Sequence, residues 1–286
     1  QGVSSAASDV YKRQDLGGPS ANMYGLKGKV QSICDRCVSP SCIHPVVCDN
    51  LDTDHSAMTQ IYKEVDAHPK IKKAFVGSGI RYDLLVKSYN KKANDSIDAY
   101  MEQVVTRHIS GRLKVAPEHT SDETLKVMRK PSFKHFHNFK KKYDDLNKKH
   151  GLNQELIPYF ISSTPNCKEE DMANLAAETK DMGFRLEQVQ DFTPTPMTVA
   201  TVIYYSGYHP YTMKEMFTAK TEKEKKDQHM FFFWHKKEYR KKIKENLVSK
   251  GREDLVERLL FSDSSQNKKL PENKRTNFRS KRIKKY

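Results

Sequence analysis

The sequence predicts an α/β protein of parallel strands in a barrel-like arrangement, followed by a mostly helical extension. Two observations predict it. A unit of apolar strand, polar loop and helical stretch occurs four times before residue 193, and strands alternating with helices in this way build parallel sheets. From Thr193 onward the strand signal stops, and helical patterns with one aromatic block take over. In parallel sheets the loops at the carboxyl ends of the strands hold the chemistry, so candidate residues are sought there.

In chain order, residues 1–14 show no periodic apolar pattern and no initiator methionine, and are set aside as a non-native, adapter-like leader. Leu16 to Leu26 is a glycine-rich loop whose Gly17-Gly18 pair lets backbone approach a ligand closely, although a bare pair is more often a turn. Cys34, Cys37, Cys42 and Cys48 follow within fifteen residues, with His44 and Asp49 nearby. Thiolates are natural ligands of zinc and iron–sulfur centres, but this spacing fits neither a standard zinc ribbon nor a ferredoxin string. Free, partly buried thiols are the alternative. Met58, Ile61, Tyr62 and Val65 form a helix stripe for the core.

The first unit runs from the strand Lys73–Gly77 to a loop bearing Ser78 and Arg81, and Arg81 has the fork geometry to grip a carboxylate. The second is the strand around Leu113, Val115 and Ala116, the loop with Glu118 and His119, and a helix begun by a Thr120/Glu123 capping box. His119 suits a proton carrier or a loop cap. The third runs from Leu156–Ile161 through Ser162-Ser163-Thr164-Pro165-Asn166 into a helix capped by Asn166 with Glu169. That helix carries Met172, Leu175, Ala176 and Thr179 and is stopped by Gly183, while Cys167 is structural. Leu186, Val189 and Phe192 mark the fourth strand. The block Phe231–Trp234 is expected to pack the extension onto the barrel, because contiguous exposed aromatics are a liability.

Several strings occur here in one order: DLGGPSANMYGL, CIHPVVC, KKAFVGSGIRYD, LKVAPEHTSDETLKVM, LIPYFIS, and FRLEQVQDFTPTP followed by YYSG. In these the chain, from about Asp15 to about Leu260, resembles the YgiQ-like radical S-adenosylmethionine proteins. The resemblance implies a partial (β/α) TIM-like barrel that binds S-adenosylmethionine beside a [4Fe–4S] cluster, which cleaves the cofactor to a 5′-deoxyadenosyl radical. It assigns cofactor binding to Gly17, Gly18, Ser78, Arg81, Glu118 and Ser163, and leaves Cys34, Cys37, Cys42 and Cys48 for a second iron–sulfur cluster or zinc. The family's three-cysteine cluster loop precedes the GGPSANMY stretch and is missing here, so the chain is expected to be an inactive carboxyl-terminal piece of a longer enzyme. The expected organisation is a core over 15–192 with a cysteine-rich insertion at 34–48, an extension over 193–261, and a tail over 262–286.

Composition bounds the partners. A length of 286 residues suits one large α/β domain with an appendage. No apolar run approaches the roughly 20 residues a membrane helix needs, which predicts a soluble chain with no membrane partner. Five cysteines without a secretory signal favour a reducing cytoplasm. Of the net charge of +15, the tail after Phe261 holds nine basic against two acidic residues. Such a tail is expected to be disordered and to offer a non-specific, salt-sensitive grip on nucleic acid. The competing function is therefore a non-catalytic, cysteine-ligated metal protein with an RNA-binding tail. The substrate is not specified by these residues.

Overall fold

The computed structural model describes residues 14–16, 20–39, 41–85 and 91–261. Residues 1–13 of the leader, Gly17, Gly18 and the basic tail with its nucleic-acid grip lie outside the described residues, whereas Gln14, assigned to the leader, stands in a strand with Asp15.

Among the described residues, five strands in two parallel sheets form an open wall. Strand β1 (Gln14–Asp15) pairs with β2 (Ala74–Phe75), and β3 (Arg112–Glu118), β4 (Glu155–Ser162) and β5 (Gln188–Asp191) pair in that order. A parallel bridge between Ile80 and Val115 carries the segment after β2 onto β3, so the two sheets follow one another. The wall is mixed α/β as expected, and the described strands do not close a full barrel. On β3 and β4 the register slips between Val115 and Glu118, beside Pro117 and opposite Pro158. Neither proline has an N–H to donate, so the ladder breaks there.

The connecting helices are α1 (Gln31–Cys34), α2 (Ser56–Ala67), α3 (Lys91–Gln103), α4 (Asp122–Val127), α5 (Lys134–Lys149) and α6 (Glu169–Asp181). The extension adds α7 (Val199–Ser206), α8 (Glu222–His229), α9 (Lys237–Ser249) and α10 (Glu253–Val256), with a 3-10 turn at Met230–Phe233. Met58 and Tyr62 of α2 are buried, as are Met172, Leu175, Ala176 and Thr179 of α6, so both periodicities hold. Gly183, at φ 81, closes α6 with Phe184 N bonded to Thr179 O.

Two helix starts differ from expectation. The cap of α4 is Ser121, whose Oγ accepts Thr124 N–H, because His119 Nδ1 already takes the Ser121 N–H and fixes that residue in extended geometry. Helix α6 begins after Lys168, whose N–H goes to the Asp171 carboxylate at 2.9 Å. Asn166 instead occupies a left-handed turn at φ 65 and donates its N–H to Phe217 O.

The extension shares the core. Phe231, Phe232, Leu247 and Leu259 belong to one apolar cluster with Phe160, Met172 and Leu175, which meets the packing expectation for the aromatic block. Burying each such side chain contributes about 1.5–3 kcal/mol. Lys180 of α6 adds a polar tie: its Nζ donates to Arg258 O and Leu259 O and lies 5.1 Å from the Trp234 ring centre. Among the described residues no helix is long and apolar enough to cross a membrane.

Candidate functional site

A cavity of about 350 Å³ opens on the face of the wall that the helices do not cover. Alternation along the strands produces it. On β3, Leu113 and Val115 are buried among the helices, while Lys114 and Ala116 lie on the opposite, solvent-facing side. Ile157 and Tyr159 of β4 and Gln188 of β5 continue that face, and Ser20, Ser78 and Arg81 close it.

The loop after β2 reaches the cavity through a glycine. Gly79 has φ +82, and a Cβ on it would stand 2.8 Å from Lys114 O, so a side chain there would collide with β3 backbone. Ile80 N–H then bonds to Lys114 O, and Ala21 N–H bonds to Gly79 O. Asn22, which is buried, clamps the next residue: its Oδ1 accepts Arg81 N–H at 2.7 Å and its Nδ2 donates to Arg81 O at 2.9 Å.

Arg81 lines the cavity as expected, but its guanidinium is engaged. Nε donates to Asp83 Oδ1 at 3.0 Å and a second nitrogen holds Asp83 Oδ2. The hydrogen bonds to Asp83 raise the Arg81 pKa above its ordinary value, against desolvation. The fork foreseen for a ligand carboxylate is thus filled by a carboxylate of the chain itself. Glu118 sits at the bulged end of β3 at φ 67, a left-handed conformation for a residue with a side chain, and its carboxylate meets Lys130 Nζ at 2.8 Å. Burial, then the Glu118 charge, raises the Tyr159 phenol pKa.

Ser163 does not line this cavity. It is buried at φ 61, its N–H donates to Gln228 Oε1 at 2.8 Å, and its Oγ has no partner among the described residues. Gln228 also donates to Cys167 O at 2.7 Å, which fastens α8 to the loop after β4. The next residue, His229, donates from Nδ1 to Asp191 Oδ1 at 2.9 Å, and Ser162 Oγ donates to the same oxygen at 2.5 Å. An oriented imidazole therefore stands at the carboxyl end of β5, and no motif or spacing foreshadows this pair, because 38 residues separate its members.

His119 is a loop cap rather than a carrier. It is fully buried, accepts Ser121 N–H at Nδ1, and so presents Nε2–H to Cys167 Sγ at 3.4 Å. Burial lowers its pKa to about 3 and pushes the Cys167 thiol up, which leaves both groups neutral. Cys167 is structural, as expected.

The cysteine-rich insertion is closed at its base by an antiparallel bridge between Gly28 and Leu51. Cys34 Sγ accepts from Asn50 Nδ2, and Cys37 Sγ accepts from Ser39 N–H. Cys37 and Cys42 are exposed, Cys34 and Cys48 half-buried. Among the described residues no three His, Cys, Asp or Glu side chains converge on a point they would share with a metal ion. His44 ties the insertion to the cavity wall, its Nδ1 standing 3.0 Å from Lys130 O.

A family model described as a domain of unknown function (DUF3362) matches residues 187–275. A UPF0313 protein of Bacteroides thetaiotaomicron is 59% identical over 246 residues, which is 86% of this chain and 40% of that protein. A UPF0313 protein of Porphyromonas gingivalis is 54% identical over 252 residues, covering 88% of this chain and 40% of the relative. One from Methanocella arvoryzae is 40% identical over 242 residues, 85% and 39% of the two chains. The chain spans about two fifths of the length of these relatives. Over most of its own length, this chain is similar in sequence to the UPF0313, or YgiQ-like, proteins.

Proposed function

We propose that this chain supplies the S-adenosylmethionine-binding wall of a radical S-adenosylmethionine enzyme. The observation that carries the reading is the cavity itself: a polar set on the uncovered face of parallel strands, with Glu118 at the carboxyl end of β3. Its size falls within the range of about 300–1,000 Å³ that small-molecule sites occupy. The donor set fits the cofactor. Glu118 accepts from ribose hydroxyls or an ammonium, Ser20 and Tyr159 offer hydroxyls, and Ala116 and Ile157 offer an apolar flank for a purine. Lys130 holds the Glu118 carboxylate in place.

When bound beside a reduced iron–sulfur cluster, this cofactor supplies a 5′-deoxyadenosyl radical. The described residues do not fit such a cluster, because no set of thiolates converges, and no step is assigned to one. The chain's own part is to bind and orient. Equilibrium dialysis of the chain against S-adenosylmethionine tests the reading. Saturable binding is expected, weakened about tenfold in Glu118→Ala by loss of a charged hydrogen-bond acceptor. No saturable binding by the parent chain overturns it.

A further inference from the structure

The cavity holds more cations than it pairs. Arg81, Lys114 and Lys130 line it together with the acids Asp83 and Glu118. Arg81 is committed to Asp83 and Lys130 to Glu118, and these pairs neutralise each other. Lys114 makes no side-chain hydrogen bond or ion pair among the described residues, so the cavity carries one uncompensated positive charge.

The position of that charge is built rather than incidental. Lys114 lies near the middle of β3, flanked by β4 on one side and by the segment after β2 on the other. The Gly79 turn packs on its backbone and Cβ, with an added methyl only 3.2 Å from Lys114 Cβ, and this brings the Ser78–Arg81 loop around the base of the side chain. Lys114 is exposed on the cavity face beside Ala116 and Ile157, and its ammonium favours a ligand with an acid group, since a hydrogen bond between two charged groups is stronger than one between neutral partners.

We infer that Lys114 is the anion-binding residue of this cavity, and that its ligand carries a carboxylate or phosphate against that ammonium. The inference rests on the reading of the cavity given above. It replaces Arg81 as the partner of a ligand acid, because Arg81 is already held by Asp83. The acid belongs either to the methionyl end of S-adenosylmethionine or to a second, acidic substrate.

Three probes separate these sources: S-adenosylmethionine, 5′-methylthioadenosine (which lacks the amino-acid acid), and inorganic phosphate, each titrated calorimetrically into the parent chain, Lys114→Met, Lys114→Gln and Lys114→Arg. If the cofactor supplies the acid, both neutral variants lose about tenfold in affinity for S-adenosylmethionine, Lys114→Arg keeps most of it, and 5′-methylthioadenosine is unaffected. If a substrate supplies it, phosphate binding is lost in the neutral variants while S-adenosylmethionine binds as before. Phosphate bound through Lys114 with no S-adenosylmethionine binding at all supports this inference and sinks the cofactor reading. Neutral variants that fold with an unchanged melting midpoint and bind all three probes as the parent does overturn it, as does a parent chain that binds neither S-adenosylmethionine nor phosphate.

Discussion

On β3, Leu113 and Val115 point into the helical layer, while Lys114 and Ala116, one position along in each case, point into the cavity. The two faces of this wall do different work with neighbouring residues of one strand. The helix face is held by apolar burial that extends without a break from Phe160 through α6 to Phe231, Phe232 and Leu259 of the extension. The cavity face carries two ion pairs, an unpaired lysine and open volume. Stability should therefore respond to changes on the first face and ligand binding to changes on the second, with little crossover.

The largest expected effect is on the helix face. Phe231→Ala removes a fully buried ring and should cost about 3–5 kcal/mol in urea unfolding. A cost under about 1 kcal/mol would show that the extension merely rests on the core.

Next comes acid sensitivity at the end of β3. Burial lowers the pKa of His119 from the ordinary 6.5 to about 3. The folded state thus favours the neutral imidazole, so the stability His119 contributes is complete above pH 6.5 and drains away as pH falls toward 3. Burial also lowers the His55 pKa, which adds to the loss in the same direction. A pH series of melting midpoints should fall through this window, and His119→Gln should flatten it. Parallel profiles for the two proteins would move the acid response elsewhere.

On the cavity face, Lys130→Met strands the Glu118 carboxylate, which is only 13% exposed, and should cost about 1 kcal/mol. The double change Glu118→Gln with Lys130→Met should recover part of that cost, which a double-mutant cycle measures. Additive losses would mean that the pair is uncoupled.

The smallest effect belongs to the insertion. Cys37→Ser with Cys42→Ser alters two exposed thiols and should change stability by no more than about 0.5 kcal/mol in metal-free protein. Zinc or iron retained through gel filtration by the parent and lost by this double variant would show that the insertion rearranges to gather its thiols.

What could be foreseen from the chain follows the same division. The buried faces of α2 and α6 were legible, because Met58 with Tyr62 and Met172 with Leu175, Ala176 and Thr179 repeat at helical spacing. The aromatic block was legible for a related reason, since so much apolar area in one place has to be covered. Side-chain pairing on the polar face was not. Asp83 stands only two residues from Arg81, but nothing in the spacing says that the turn folds one onto the other. Lys114 drew no notice between Leu113 and Val115, although in a strand of period two it marks the uncovered face. Asn22 lies inside a motif string, yet its grip on Arg81 backbone depends on a contact 59 residues away.

The extent of the DUF3362 match has a consequence for how such proteins can be taken apart. The matched stretch begins at residue 187, one residue before β5, and it includes both Asp191 and His229. A boundary at 192/193 would leave the strand with the core and the imidazole that grips its end with the extension. Inherited as the stretch from 187, the segment brings a strand of the sheet together with the side chain that pins it. Such a segment can be transplanted only into a host that offers a free parallel edge equivalent to β4, so wall and extension should travel through a lineage as a matched pair.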